Sequence, residues 1–198
     1  MTDKYRNFSD LTAREVEGRD FRIVTVEGRS GLVILAPHGG KIEPHTSMIA
    51  RAIAADDHAI FLFEGCKRNG NGDLHVTSEN FDEPACLDLV TRSKLAVGVH
   101  GKDGLEDSVL VGGRNARAKA LVVAALHQFG ATTLGPSHLK GESSKNVCNR
   151  AIEAGIQLEI SRGLRDKLAG ADVRFSAEQS KALFTTFVSQ LRNALAEY

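Results

Sequence analysis

Two histidines and two glutamates stand at places where chemistry is commonly built. His38 follows the apolar run GLVILAP, and Glu43 lies five residues later in the same loop. His100 comes directly after LAVGV, and Glu159 falls within IQLEI. Two imidazoles and a carboxylate form a common catalytic zinc set that leaves a fourth position for water. The ion lowers the pKa of that water, which becomes a nucleophile near neutral pH. A second carboxylate, not a ligand, is then needed to orient the water and carry its proton to a leaving nitrogen. Glu159 suits that role. The spacing H-G-G-x-x-E is not the helical H-E-x-x-H, so a loop must supply the geometry. Gly39 and Gly40 let the chain turn sharply and bring Glu43 back toward His38. Each residue also has a plainer reading: a hydrogen-bonded loop histidine, a solvated acid, a structural ion pair. Glu159 alternates with Ile156, Leu158 and Ile160, so a strand covered on both faces would bury it and oblige it to find a partner.

Basic residues recur near the same places. Lys67 and Arg68 follow an apolar run ending near Phe63, Arg114 follows Gly112-Gly113, and Arg162 and Arg165 follow the segment carrying Glu159. The planar guanidinium binds carboxylates with two parallel hydrogen bonds. With no net charge on the chain, such placement suggests a local site for an anionic substrate. Arg150, in KNVCNRAIEAG, cannot be assigned to that side. His75, in LHVTS, either reaches the site or begins a short strand.

The elements that must position these groups alternate. Phe21–Val26 and Gly31–Ala36 read as strands joined in a hairpin by Glu27-Gly28-Arg29-Ser30. Strands are also expected at Ala59–Phe63, Leu95–Val99, Ser108–Val111 and Ile156–Ser161. Helices are expected at Thr46–Asp57, capped by Thr46 or Ser47, and at Glu83–Ser93, Arg114–Phe129, Ser144–Ala154 and Ala177–Ala196. Lys67–Asp73 is turn-rich and reads as a loop. This alternation predicts a single α/β domain over residues 1–198, with a mixed, mostly parallel sheet covered by helices on both faces. In such sheets ligands bind beyond the carboxyl ends of the strands, where the four candidate groups would converge.

Composition narrows the classes. The chain has 198 residues, 42% hydrophobic and 25% charged, with Lys+Arg and Asp+Glu both at 25, which excludes a disordered chain and a generally basic nucleic-acid binder. No apolar run approaches the roughly 20 residues of a membrane span. The start, MTDKYRNFSDL, is polar and reads as carrying no signal peptide. Cys66, Cys86 and Cys148 are widely spaced, mostly among apolar residues, and read as buried, reduced thiols. These features suggest synthesis in the cytoplasm. No G-x-G-x-x-G or P-loop spacing is present.

The segments HGGKIEPHTS (38–47), LHVTS (74–78), VGVHG (97–101), VGGRN (111–115) and QLEISRGLR (157–165) together resemble the poly-γ-glutamate hydrolase family of phages and bacilli, which is related to zinc carboxypeptidases. The resemblance runs from about residue 20 to the C-terminus. It implies a compact carboxypeptidase-like α/β fold with one zinc ion, acting on the γ-amide bonds of an anionic bacterial polymer. Separately from the resemblance, a monomer is expected, and release by cell lysis would let a protein without a signal peptide reach that polymer. The resemblance implies zinc on His38, Glu43 and His100, and a general base at Glu159. It also implies substrate or oxyanion roles for Arg114, Asn115 and Arg162, beside His75. A small residue is expected where His45 stands, and His45 competes with Glu43 as the loop ligand. Two other readings stay open. One is a zinc amidohydrolase for an N-acyl amino acid or a peptidoglycan fragment. The other is a non-catalytic module that binds carboxylates through arginines.

Overall fold

The structure, a computed structural model, describes residues 3–198, so residues 1 and 2 of the polar start lie outside the described residues. Seven strands form one sheet: β1 (Phe21–Val26), β2 (Leu32–Gly40), β3 (Ala59–Gly65), β4 (Leu95–Lys102), β5 (Val109–Gly113), β6 (Ala131–Thr132) and β7 (Gly155–Ser161). Their spatial order is β1-β3-β2-β4-β7-β5-β6. The central run β3-β2-β4-β7 is parallel, β1 and β5 each pair antiparallel to their neighbour, and β6 is parallel to β5. The helices are α1 (Phe8–Thr12), α2 (Thr46–Ala54), α3 (Pro84–Arg92), α4 (Ala116–Ala125), α5 (Arg162–Leu168) and α6 (Ala177–Ala196). This is the mixed, mostly parallel α/β sheet that the alternation predicts.

Each face of the sheet has its own core. Leu32, Ile34, Leu95, Val97, Val99, Ile156, Leu158 and Ile160 point to one side and pack with α2, α4, α5 and α6. Val33, Leu35, Phe61, Phe63 and Ala96 point to the other and pack with α1, α3 and the turn at Val147–Arg150. Burial on both faces explains why β2 and β3 read as almost unbroken apolar runs. The period of two also sorts β7: its apolar residues line the first core, while Gln157, Glu159 and Ser161 face the second side.

Four expectations need correction. β1 and β2 are not a hairpin: β1 pairs with β3 in the register Phe21↔Gly65 to Val26↔Ile60, while β2 lies beyond β3. Parallel pairing of β2 and β3 takes the place that a hairpin would occupy. Neither Thr46 nor Ser47 caps α2; His45 holds the cap position at φ 76° without a side-chain cap bond. The Thr46 hydroxyl donates to the Glu43 carbonyl instead, and Ser47 Oγ accepts the Gly40 N–H. Ser144–Ala154 is not an α-helix; it holds one 3-10 turn, Val147–Arg150. There Asn146 and Asn149 bond to nearby backbone groups and compete with helical pairing. The helix expected from Arg114 begins at Ala116, because the Asn115 side chain caps it by accepting the Ala118 N–H.

Candidate metal centre and active site

His38, Glu43, His75, His100 and Glu159 gather at the carboxyl ends of β2, β4 and β7. His100 and Glu159 are direct register partners on adjacent parallel strands, which places both side chains on the same face. His38 reaches that face through an irregularity. Ile34 and Ala36 point to the first core, so strict alternation would send His38 there too. A register shift between Ala36 and Gly39 turns it to the opposite side. Gly39 and Gly40 then let the loop run close to β3, where a Cβ at Gly40 would lie 2.5 Å from the Gly65 carbonyl oxygen.

The donor atoms converge. His38 Nδ1 is 3.1 Å from Glu43 Oε1 and 3.1 Å from His100 Nδ1. His100 Nδ1 is 3.9 Å from Glu43 Oε2, whose orientation is held by the Gly101 N–H at 2.8 Å. His38 Nε2 lies 2.9 Å from the Val76 carbonyl oxygen, which can only accept, so that nitrogen carries the proton. In the neutral ring Nδ1 then turns a lone pair toward a carboxylate that also only accepts. Two acceptors at hydrogen-bond distance need a cation between them, either a proton or a metal. Ligands on a tetrahedral zinc with bonds of about 2.0–2.1 Å sit about 3.3 Å apart. The donor set fits such an ion.

His75 is a third imidazole beside this set. Its ring stacks on His38 with centroids 3.9 Å apart, and its Nε2 is 4.0 Å from Glu43 Oε1. His38, Glu43 and His75 also form a cluster whose ligand atoms lie within 4.8 Å of one another. His75 Nδ1 sits 2.7 Å from the Asp3 carboxylate, which also accepts the Thr77 N–H. That pairing puts the proton on Nδ1 and leaves the Nε2 lone pair facing the cluster.

Electrostatics separate the acids. Glu43 is held down at about 2: burial alone would raise it, but His38, His100 and the Gly101 N–H favour the ionised form. Glu159 is pushed up to about 7, by burial first and by the Glu43 charge second. Burial pulls His38 down, yet the adjacent Glu43 carboxylate outweighs it, so the group is raised overall. Burial and the neighbouring His38 lower His100. Two carboxylates kept in different states by their surroundings are the pattern of an acid–base site.

The other candidates are distributed differently. Arg162 stands at this end of the sheet, half exposed, with its guanidinium on Asp166 at 2.7 Å. His45 also turns to Asp166, at 3.2 Å, and away from the histidine cluster. Arg114 and Asn115 lie at the opposite end of the sheet. Because β5 runs antiparallel to β7, its carboxyl end meets the start of β7, and the N–H groups of both residues donate to the Gly155 carbonyl. Gly155 is four residues before Glu159, about 13 Å along the strand at 3.3 Å per residue. Lys67 is engaged with Glu15 at 3.0 Å and does not face the cluster. Arg165 is buried and donates to the carbonyls of Ile160 (3.0 Å), Lys102 (3.3 Å) and Pro44, so it ties the Glu43 loop to the ends of β4 and β7. A cavity of ≈ 610 Å³ beside α2 is lined by His45, Ser47, Met48, Arg51, Glu64 and Phe184.

The sequence reading missed Asp3, Gln157 and the clamping role of Arg165. Gln157 had a signal, since it lies two residues before Glu159 on the same strand face. Asp3 had none, being 72 residues from the histidine it holds. Among the described residues, no helix is long and apolar enough to cross a membrane.

A sequence model of the family described as poly-gamma-glutamate hydrolase matches residues 5–190. The chain is 35% identical over 195 residues to the SPbeta prophage-derived UPF0714 protein YoqZ of Bacillus subtilis (strain 168), a match covering 96% of this chain and 65% of YoqZ. It is 37% identical over 172 residues to UPF0714 protein YndL of the same organism, covering 85% of this chain and 68% of YndL. The chain therefore spans about two thirds of the length of these relatives. Among solved structures it is similar to that of a bacteriophage poly-gamma-glutamate hydrolase, with a TM-score of 0.89 and 28% identity over 100% of this chain and 98% of that one. A zinc-free apo structure of YndL gives a TM-score of 0.87 and 32% identity, covering 98% of both chains. A match from Tyr5 onward, on a fold shared with two solved relatives, assigns the chain to the poly-γ-glutamate hydrolase family.

Proposed function

We propose that this chain hydrolyses γ-glutamyl amide bonds of poly-γ-glutamate, with one zinc ion on His38, Glu43 and His100 and with Glu159 as general base and acid. The observation that carries this reading is the convergence of His38 Nδ1, His100 Nδ1 and Glu43 at 3.1–3.9 Å. Zinc is favoured over harder ions by the two imidazole donors, and YndL has a state described as zinc-free. When bound, zinc supplies Lewis acidity toward an amide carbonyl and makes water acidic enough to ionise near neutrality.

The chain's own residues do the rest. Gly101 N–H and Arg165 hold Glu43 and its loop in place. Glu159, with a pKa of about 7, accepts a proton from water and then releases it to the leaving nitrogen. His75, oriented by Asp3, presents Nε2 to whatever occupies the site. Arg162 stands where a free α-carboxylate of the polymer would meet a guanidinium fork. Arg114 is too distant to take the oxyanion role.

The deciding experiment combines elemental analysis of the purified protein with a size or viscosity assay on poly-γ-glutamate, with and without chelator. One zinc per chain and chelator-sensitive depolymerisation are expected. Full activity after complete metal removal would overturn the zinc reading. Cleavage of small N-acyl amino acids with no action on the polymer would overturn the substrate.

A further inference from the structure

Glu159 does not stand alone on its strand. Gln157 Nε2 donates to Glu159 Oε1 at 2.7 Å, and Asn146 Nδ2 donates to Gln157 Oε1 at 2.8 Å. The orientation of both amides follows from groups that have no choice. The Cys148 backbone N–H donates to Asn146 at 3.2 Å, so the atom it meets is the oxygen. Asn146 must then offer its NH₂ to Gln157, and Gln157 must meet it with its oxygen. That leaves the Gln157 NH₂ facing Glu159 Oε1 and the Leu139 carbonyl oxygen at 3.4 Å, both acceptors. Flipping either amide would set oxygen against oxygen or N–H against N–H. Asn146, Gln157 and Glu159 are 4%, 5% and 6% exposed, so bulk water cannot replace a lost donor. Gly141, at φ +56°, lies against the same amide, where a Cβ would come within 2.8 Å of Gln157 Oε1.

We infer that Gln157, aligned by Asn146, gives the two oxygens of Glu159 different work: Oε1 is held as a permanent acceptor, and Oε2 carries the proton. This rests on the reading of Glu159 as general base. As the water oxygen bonds to the amide carbon, its O–H bond breaks and the proton goes to Oε2. The C–N bond then breaks, its electron pair stays on nitrogen, and nitrogen takes the proton from Oε2. Glu159 returns to the carboxylate, and the products are an acid and an amine. An oxygen that already accepts a short N–H bond is the less basic of the two. Gln157 and Asn146 are thus positioning residues. They keep the proton-carrying oxygen turned to the site and spare the carboxylate a rotation in each cycle.

The test is a double-mutant cycle on the zinc-loaded enzyme with poly-γ-glutamate as substrate. Q157M removes the donor to Glu159. N146D keeps the bond from Cys148 but sets an oxygen against Gln157 Oε1, which turns the Gln157 amide the wrong way. Each is expected to lower kcat at least tenfold, with KM and zinc content within twofold of wild type. The double variant should be no slower than Q157M, because both changes act through one oxygen. In the zinc-loaded enzyme, the acidic limb of the kcat–pH profile should move to higher pH in Q157M, a shift that a merely structural role would not give. Fully additive losses, or wild-type kcat in Q157M, would overturn the inference while an inactive E159Q left the general-base reading standing. An active E159Q would overturn both. N146D acts only at the far end of the relay, so it keeps the inference testable if Q157M fails to fold.

Discussion

His38 is informative because its two ring nitrogens are constrained separately. The Val76 carbonyl accepts a hydrogen bond from Nε2–H, and Nδ1 is left facing Glu43 and His100. Replacing His38 or His100 by alanine should reduce bound zinc below a tenth of an equivalent, measured by elemental analysis after dialysis. His75→Ala should keep the metal and lose activity, because His38 and His100 bring their Nδ1 atoms within 3.1 Å of each other beside Glu43 without it. Loss of zinc in His75→Ala with retention in His100→Ala would move the ligand set to His38, Glu43 and His75. Glu159→Gln should hold zinc and lose turnover by about a hundredfold or more, the scale of general acid–base catalysis. The same substitution has a stability signature in metal-free protein. Glu159 is raised from 4.5 to about 7, so between those values the folded state keeps a proton that the unfolded chain releases. Stability therefore falls as pH rises through that window and stays low above it. Glu159→Gln should exceed wild type by roughly 3 kcal/mol in chemical denaturation at pH 8, and the gap should close as pH approaches 4.

Strands and loops turn these side chains toward one another. Parallel pairing of β4 with β7 puts His100 beside Glu159, and the register shift in β2 brings His38 to their side. The Glu43 loop has no helix or strand of its own, and Arg165 compensates by bonding to carbonyls on three segments. Its guanidinium lies on Gly101, where a Cβ would sit 2.5 Å from Cζ. Arg165→Met would leave those carbonyls unpaired in a buried setting. It should cost about 3 kcal/mol in chemical denaturation and weaken zinc at least tenfold in competition with a chelator. Unchanged zinc affinity would show that the loop holds its shape without the clamp. The N-terminal segment matters for the same reason: Asp3 fixes His75 from outside the sheet. Asp3→Ala should lower kcat and leave zinc content as in wild type.

Considered as a whole, the molecule places a polar floor on one face of an otherwise apolar sheet and covers it with loops. Zinc that binds only the folded state should raise its stability, by about 2.7 kcal/mol at a free concentration one hundred times Kd. A thermal midpoint unaffected by chelator would contradict a centre built across β2, β4 and their loops. Much of this plan was legible in the order of residues. The burial of strands on both faces wrote them as apolar runs, and polar residues at their carboxyl ends marked where His38, Glu43, His100 and Glu159 would lie. Those are local properties, carried by side-chain type and by a period of two. Strand direction is not local. The antiparallel placement of β5 sent Arg114 and Asn115 to the far end of the sheet, and nothing in VGGRN distinguishes the two directions. Nor does composition say which cations a fold will consume: Lys67 went to Glu15 and Arg165 to backbone carbonyls. The sequence by itself determined most of the element types, the apolar faces and four candidate residues for metal and proton chemistry. Only the tertiary structure decided pairing and direction, the turn of His38 across the sheet, and the arrival of Asp3 and Gln157, because those depend on contacts between segments far apart in the chain.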